Sequence, residues 1–457
     1  MTTPTVAPES TIAALQAAKR VFAENKTLTL ISRNDDRVWG GKVYFAEHEG
    51  DLYIALEQGR NFENVKANPS IAFMVDHGVP DRFVQGEGEA EILGDIAERP
   101  ERHLIFRHAF ELVPFAKSFP GVQVVRIRPT RLFVSDFTGD WQPRADVPVD
   151  ETVQTLLRTT LNRPRPRWKS YVQAVRVFSL TVTLIPVLAG ALLAPAISLP
   201  WMLLTLAAAL LLHAGVNVLS DYSDFRRGAD RWTVLGSSRV LVDGWMQPAA
   251  VRWEGLLLLL TGVLLGGVLV VSRGLPILGF GLAGVLLGVG YTARPIGLKY
   301  RALGDIAVFL AFGPLMVLGS YYVQAQAWDW GAAFVAVPLG LLTVGVLHGN
   351  NFRDIAEDQR SGYRTLAHVL GPRGSSIYYA ALVIGAYLTT LVLMLAGELP
   401  WWCSIVGLSG WLAWDVVRIA FRPSRVAFGF LDLLTARLHL VFGLLLVVGL
   451  AAGRWVD

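Results

Sequence analysis

Leu199-Pro-Trp-Met-Leu-Leu-Thr-Leu-Ala-Ala-Ala-Leu-Leu-Leu-His213-Ala-Gly-Val-Asn217-Val-Leu-Ser-Asp221-Tyr-Ser-Asp224-Phe-Arg-Arg-Gly228-Ala-Asp230 decides the fold of the larger part of this chain. It opens on an apolar stretch of about the 20 residues that a bilayer asks of a helix. Without a break it then runs into acids. At roughly 100° per residue, Asn217, Asp221 and Asp224 fall on one narrow helical face. The pattern recurs once, where the apolar stretch 331–348 enters Asn350-Asn351-Phe-Arg353-Asp354-Ile-Ala-Glu357-Asp358-Gln-Arg-Ser-Gly362. Asn350, Asp354 and Asp358 are four apart and share a face.

Working outward, comparable apolar stretches lie at 178–197, 200–219, 255–272, 275–292, 305–323, 331–348, 376–397, 400–420 and 434–453. They predict an all-α polytopic membrane domain of about nine transmembrane helices. The eighth is interrupted by Asp415 and Arg418 and is expected to end early. Cytoplasmic loops carry the excess of Lys and Arg. One set of loops holds Arg226, Arg227, Arg231 and Arg239, then Arg294, Lys299 and Arg301, then Arg353, Arg360, Arg364 and Arg373, then Arg422 and Arg425. The opposite set offers Arg273, Trp328-Asp329-Trp330 and the aromatic anchor Glu398-Leu399-Pro400-Trp401-Trp402. The basic segment Arg163-Pro-Arg-Pro-Arg-Trp-Lys169 stands with the rich loops. The aspartate clusters and the front of the chain are therefore expected in the cytoplasm, and Asp457 outside, in a cell (inner) membrane.

Composition agrees. Of 457 residues 53% are hydrophobic and 17% charged, and the mean hydropathy of +0.43 excludes an entirely water-soluble protein. The single Cys403 excludes a disulfide framework. The average hides a division: residues 1–150 carry 17 Lys and Arg against 22 Asp and Glu, and the other 307 carry 24 against 15. The acidic front has no apolar run of spanning length. Its start is polar to Ser10, and 11–25 reads as an amphipathic helix rather than a secretory signal. Alternating segments at 27–32, 38–45, 52–56, 71–75, 83–93 and 122–127, separated by turns such as His48-Glu49-Gly50-Asp51, predict a small β-barrel. The proline- and charge-rich stretch 141–172 reads as a linker and interfacial helix. The predicted organisation is a barrel over 1–140, a linker over 141–172 and a membrane domain over 173–457.

Carboxylates are scarce in the membrane half, so two clusters at one depth carry the chemical signal. Acids at helix ends can simply cap helices or balance arginines; two matched clusters argue against that, because intramembrane charge is costly. Paired oxygen-rich faces suit a hard divalent cation that keeps part of its coordination for phosphate, as Mg²⁺ does. Arg239, Lys299, Arg353 and Arg364 on the same side are positioned to grip remaining phosphate oxygens. An apolar bundle beneath would hold a hydrocarbon tail. These features describe an enzyme for a lipid diphosphate, with the lipid bilayer as its surroundings and no nucleic-acid partner. His213 and His348, one turn before each cluster, read as bundle-packed polar residues rather than ligands.

Both clusters, in order and in this span context, resemble the two aspartate-rich motifs of the UbiA superfamily of intramembrane prenyltransferases, and most nearly its 1,4-dihydroxy-2-naphthoate branch of menaquinone synthesis. The matching residues are Asp221-Tyr-Ser-Asp224 with Gly228-Ala-Asp230, Asn350-Asn351-Phe-Arg353-Asp354 with Asp358, Gly362 and Arg364-Thr365-Leu366, and Tyr291-Thr-Ala-Arg-Pro295 with Leu298-Lys299-Tyr300 and Leu303-Gly304-Asp305. Phe312-Gly-Pro-Leu-Met-Val-Leu-Gly-Ser-Tyr-Tyr-Val-Gln324 is also similar to that branch. The likeness covers about 170–453, departing at Ser220, where Asn is usual, and at Tyr363, where Lys is common. It implies that Asp221, Asp224, Asp230, Asp354 and Asp358 hold Mg²⁺ on a prenyl diphosphate, with Asp224, Asp354, Asp358 and Lys299 central to catalysis. It further implies that Lys299, Arg353 and Arg364 steady the leaving group, that Arg239, Arg294, Asn350 and Asn351 contact substrate, and that Tyr291 and Asn217 orient the reactants. The partner is then an aromatic acceptor, prenylated with loss of CO₂ in the naphthoate branch.

The front is similar over about 10–138 to pyridoxamine 5′-phosphate oxidase-like split barrels, through Asp51-Leu-Tyr-Ile-Ala, Asn64-Val-Lys-Ala-Asn68-Pro69-Ser-Ile-Ala-Phe and Gln85-Gly86-Glu-Gly88-Glu-Ala. That likeness implies an FMN-type flavin with Arg60 and Lys66 near its phosphate, although Asn61 stands where a Lys is frequent. A barrel kept for packing or partner binding, without cofactor, is the equal alternative. Two other functions compete for the whole chain. A flavin-dependent quinone-related oxidoreductase with a lipid-binding membrane domain leaves the aspartate pairs unexplained. A transporter would place its charged site near the midplane between broken helices, whereas these residues lie at span ends.

Overall fold

The structure, a computed structural model, describes residues 9–34, 37–78, 81–137, 144–158, 167–228, 238–292, 296–360, 362, 364–422 and 426–456. The chain divides into two compact units, Met1–Pro166 and Arg167–Asp457.

The first unit is a barrel. Helix α1 (Glu9–Glu24) precedes strands β1 (Thr27–Asn34), β2 (Arg37–His48) and β3 (Asp51–Leu56); α2 (Arg60–Ala67) leads to β4 (Ser70–Asp76) and β5 (Arg82–Asp95); α3 (Arg102–His108) and α4 (Leu112–Ser118) precede β6 (Gln123–Asp136). All pairings are antiparallel in the order β3-β2-β1-β4-β5-β6, and β6 returns to β3, closing six strands on themselves. The turn between β2 and β3 is Glu49-Gly50, both at positive φ (54° and 90°), the two-residue geometry whose twist suits a hairpin. Register shifts at Glu87/Gly88 and Ile92/Gly94 bend β5 so that the sheet can close. A side chain on Gly86 would strike the Phe73 ring, which crosses the interior there. Inward residues such as Leu28, Leu30, Phe45, Ile54, Phe73, Val84 and Val134 fill the barrel, with Leu15 and Val21 of α1 packed against them.

The stretch expected to be linker does more than connect. Strand β7 (Arg144–Pro148) pairs with the far half of β6, and Val147 joins the barrel core with Val153 and Leu157 of α5 (Glu151–Arg158). The short, charged pattern of 144–158 concealed an edge strand and an amphipathic helix. Residues 159–166, including much of the basic segment, lie outside those described.

The second unit is helical. Its elements are α6 (Arg167–Ala174), α7 (Thr181–Leu193), α8 (Leu199–Arg226), α9 (Pro248–Arg273), α10 (Pro276–Thr292), α11 (Gly304–Leu310), α12 (Met316–Ala325), α13 (Trp330–Arg353), α14 (Ile355–Arg360), α15 (Leu366–Leu395), α16 (Gly410–Ala420) and α17 (Leu431–Val456). Among the described residues seven segments are long and apolar enough to cross a membrane, and an eighth counts if the pair Trp168–Ala174 and Val177–Leu193, bent by 46°, is one span. Each expected span has a counterpart. The difference from nine lies in this bent first span and in Pro276–Tyr291, which is apolar but short. The bend falls at Arg176, whose φ of 57° is left-handed.

Leu257, Leu264, Val271, Leu286 and Leu395 are exposed on the outside, far more apolar surface than a protein in water tolerates. Trp328, Trp330, Trp401 and Trp402 are exposed at the end away from the aspartates, as interfacial anchors are. The chain is an integral membrane protein. Helices α8 and α9 meet closely because a side chain on Gly215 would strike the α9 backbone at Leu259; small residues permit such approach where lipid supplies no hydrophobic drive. Between α11 and α12, Ala311–Leu315 widens to a π-turn around Pro314, which cannot donate to the helical ladder.

Candidate active site

A cavity of about 660 Å³ runs from the aspartate-bearing end of the bundle down among α7 to α13. Its walls collect Asn217 and Asp224 from α8, Tyr291 from α10, Lys299 from the α10–α11 connection, and Asn350, Asn351, Asp354 and Asp358 from the second cluster. Residues more than a hundred positions apart thus meet at one place.

Lys299 organises that end. Its ammonium donates to Asp224 Oδ2 at 2.8 Å, and the Tyr300 hydroxyl donates to Oδ1 at 2.6 Å. Burial by itself would favour the neutral amine, but the Asp224 charge outweighs it and holds the Lys299 pKa above its ordinary value. Asp358, on α14 beyond the span, accepts from Thr365 Oγ1 at 3.2 Å. Burial pushes its carboxyl up to about 7; Lys299 pulls it down, while Asp354 and Asp224 push it further up. Asn217 donates to Ser179 Oγ at 2.9 Å. The Tyr291 hydroxyl is buried at the cavity wall with no hydrogen-bond partner among the described residues.

Other expected site residues are placed differently. Asp221 is buried beside Asp224 yet does not line the cavity: it is ion-paired with Arg176 and accepts from the Ser238 amide at 2.9 Å. Arg239, expected to grip phosphate, is fully buried against Asp243, with contacts of 2.9 and 3.1 Å. Arg353 is also buried and surrounded by acceptors: Asp354 at 2.8 Å, Asp432 at 2.6 Å, and Asn350. Arg364 is exposed and does not line the cavity; its amide meets the Tyr300 carbonyl. Of the four cations expected to grip phosphate, Lys299 alone is on the wall, because the other two buried ones neutralise carboxylates that would otherwise be unpaired. Asp230 and Arg294 lie outside the described residues.

The histidines behave as packed polar residues. His213 lines the cavity, bonded to Thr183 at 2.7 Å and edge-on to Phe312. His348 donates to the buried Asp305 at 3.1 Å and packs on Tyr378. Among the described residues no three His, Cys, Asp or Glu side chains converge closely enough to hold a metal unaided. In the barrel the expected flavin pair, Arg60 and Lys66, is exposed on α2. Arg60 lies over the Trp39 ring at 4.4 Å, Lys66 is exposed about 120° further round α2, and Asn61 turns inward to accept from Ser32 at 2.8 Å.

Residues 183–441 match the UbiA prenyltransferase family. The chain belongs to that family. It is therefore a prenyltransferase, with a UbiA helical unit that follows the barrel in sequence. UbiA prenyltransferase domain-containing protein 1 of Mus musculus is 34% identical over 301 residues, covering 63% of this chain and 86% of that one. The 1,4-dihydroxy-2-naphthoate octaprenyltransferase of Bacillus subtilis (strain 168) is 28% identical over 283 residues, covering 61% and 91%. For the barrel, a solved Clostridium acetobutylicum protein related to general stress protein 26, of the pyridoxinephosphate oxidase family, is 12% identical with a TM-score of 0.26, covering 31% of this chain and 98% of its own.

Within this UbiA domain two participants escaped the sequence, and a third, Asp305, stood only within a matching stretch, with no role. Arg176 lines the cavity and pairs with Asp221; Asp432 lines it and pairs with Arg353; Asp305 ties α11 to α13 through His348. Each stands apart from the two acidic clusters, so clustering could not flag it; the rarity of acids in the membrane half was the available signal for Asp432, and the matching stretch Leu303-Gly304-Asp305 was the signal for Asp305.

Proposed function

We propose that this protein transfers a prenyl group from a prenyl diphosphate to 1,4-dihydroxy-2-naphthoate in menaquinone synthesis, with Mg²⁺ at the aspartate end of the cavity. The observation that carries the reading is the collection of Asp224, Asp354, Asp358 and Lys299 at the head of one largely apolar cavity. The donor set suits the metal. These are oxygen ligands, and Asp358 is held back from ionising by burial and by its acidic neighbours, a cost that a divalent cation removes. Mg²⁺ is commonly held by one or two carboxylates plus substrate phosphates, and Asp224, Asp354 and Asp358 supply such carboxylates on the cavity wall. When bound, the ion would offset charge on the departing diphosphate.

The chain's own residues do the rest. Lys299 offers the diphosphate a cation already oriented by Asp224. The cavity walls hold the isoprenoid and keep water from the allylic carbon as its C–O bond breaks. The unpartnered Tyr291 hydroxyl and the Asn217 amide are in place to orient an aromatic diol or its carboxylate. The ring carbon then bonds to the allylic carbon, and the carboxylate it bore leaves as CO₂, restoring aromaticity. The Arg-rich loops support a cytoplasmic aspartate end and an outside C-terminus, in a cell (inner) membrane, because cytoplasmic loops carry the excess of positive charge.

The test is to incubate purified protein with Mg²⁺, geranylgeranyl diphosphate and, separately, 1,4-dihydroxy-2-naphthoate, 4-hydroxybenzoate and homogentisate, identifying products by mass. A prenylated naphthol that has lost CO₂ is expected. Product from one of the other acceptors alone would refute the naphthoate assignment.

A further inference from the structure

Packing accounts for one edge of His213 and leaves the other without a task. This residue of α8 is 9% exposed and lines the cavity. Thr183 of α7 meets its Nδ1 at 2.7 Å, and Phe312, carried into the cavity wall on the π-turn, packs edge-on to the ring at 4.8 Å. Nε2 has no partner among the described residues. Two other buried histidines, His348 and His439, also leave one ring nitrogen unpaired, but those atoms are sealed in packing and neither residue lines the cavity. The free nitrogen of His213 opens on it. One turn up the same helical face, Asn217 spends its amide nitrogen on Ser179 Oγ at 2.9 Å and the Val175 carbonyl at 3.3 Å, so its side-chain oxygen is left to accept. The cavity thus shows two acceptors about 6 Å apart along α8, with Asp224 about 10 Å beyond Asn217 at 1.5 Å per residue.

Resting on the naphthoate reading above, we infer that His213 is the base that takes the proton of the acceptor hydroxyl next to the ring carbon that is prenylated. An imidazole that donates from Nδ1 to Thr183 keeps its lone pair on Nε2, and with Phe312 against the ring it is a base oriented by its neighbours. A ring lying between Asn217 and His213 offers a hydroxyl to each, with the allylic carbon hung from the diphosphate above. As the ring carbon bonds to the allylic carbon and the C–O bond to diphosphate breaks, the adjacent hydroxyl gives its proton to Nε2 and its oxygen becomes a carbonyl. The product of that step is a β-keto carboxylate. When its bond to the carboxylate breaks and CO₂ leaves, the electron pair passes into the ring and on to the carbonyl oxygen, which takes the proton back from His213. The proton is returned within one turnover, so neither an oxidant nor a second base is required.

The experiment measures kcat and KM of full-length wild type, His213→Ala and Thr183→Val with geranylgeranyl diphosphate and 1,4-dihydroxy-2-naphthoate, with and without added imidazole, checking each variant for monodisperse elution in detergent. His213→Ala should lower kcat at least about a hundredfold, the low end of what a positioned base contributes, and leave KM for the diphosphate within about twofold. Free imidazole, entering the space the ring vacated, should restore a measurable part of that loss. Thr183→Val keeps the shape of threonine but removes the group that fixes the tautomer, and should lower kcat by a smaller factor. Undiminished kcat in a folded His213→Ala would overturn the base, as would a loss that imidazole does not restore and Thr183→Val does not share, because the ring would then only pack. Should His213→Ala fail to elute as a folded species, undiminished kcat in Thr183→Val would overturn it by itself. Wild type that prenylates no naphthoate would instead refute the acceptor on which the inference rests, so the two failures are separable.

Discussion

Asp224→Asn separates a working carboxylate from a structural one. In the native protein Asp224 receives Lys299 at 2.8 Å and Tyr300 at 2.6 Å. The Lys299 and Asp224 side chains are 19% and 5% exposed, so the pair belongs with buried rather than surface ion pairs, which contribute little. Asn keeps the shape but removes the charge, leaving the ammonium buried and uncompensated. Breaking a buried pair in this way costs about 3–5 kcal/mol of stability. Turnover should fall about 10²–10³-fold, the loss seen when one preorganised electrostatic contact to a transition state is removed. The double variant Asp224→Asn/Lys299→Met decides the cause, since removing both charges together is often close to neutral for folding. Thermal unfolding in detergent should then show stability largely recovered, while prenyl transfer, followed by product mass at saturating Mg²⁺, stays as low as in the single variant. Activity that returned together with stability would refute the reasoning, because Asp224 would then serve only to neutralise Lys299.

Asp354→Asn should also abolish transfer, and excess chelator should do so reversibly on addition of Mg²⁺; undiminished turnover in chelator would exclude a divalent cation. Arg239→Met should destabilise the protein by about 3–5 kcal/mol, as expected for a buried Asp243 left alone, yet leave KM for the diphosphate within about twofold where the protein remains folded; a large rise in KM would restore Arg239 to the substrate site. If the barrel holds a flavin, the purified full chain titrated with FMN and desalted should keep the yellow absorbance, and Arg60→Ala or Lys66→Ala should weaken its retention; a colourless chain would leave a barrel without flavin. Removing residues 1–166 should leave transfer measurable, since every residue named on the cavity wall belongs to Arg167–Asp457; loss of transfer by a membrane unit that still elutes as a single folded species would give the barrel a share in catalysis.

What the sequence determined by itself follows from short-range rules. A bilayer demands a fixed length of apolar helix, so the spans could be read from composition, and helical spacing put Asn217, Asp221 and Asp224 on one face before any neighbour was known. Strand alternation marked six barrel strands for the same reason. Charge chemistry at a distance was beyond it. Arg353 and Asp432 are 79 residues apart and His348 and Asp305 are 43 apart, and nothing in local spacing announces either pair. Only packing showed that Arg239 and Arg353 are committed to carboxylates while Lys299 faces the cavity, and that Asp221 turns toward Arg176 although Asp224, three residues on, lines the wall. The strand at 144–148 was hidden likewise, because an edge strand five residues long is identified by its partner rather than by its own pattern. The cavity's lining depends most of all on tertiary structure: Leu269, Ile277 and Val323 are ordinary span residues until the ends of α9, α10 and α12 come together, and only then do they pack as one buried cluster on its wall.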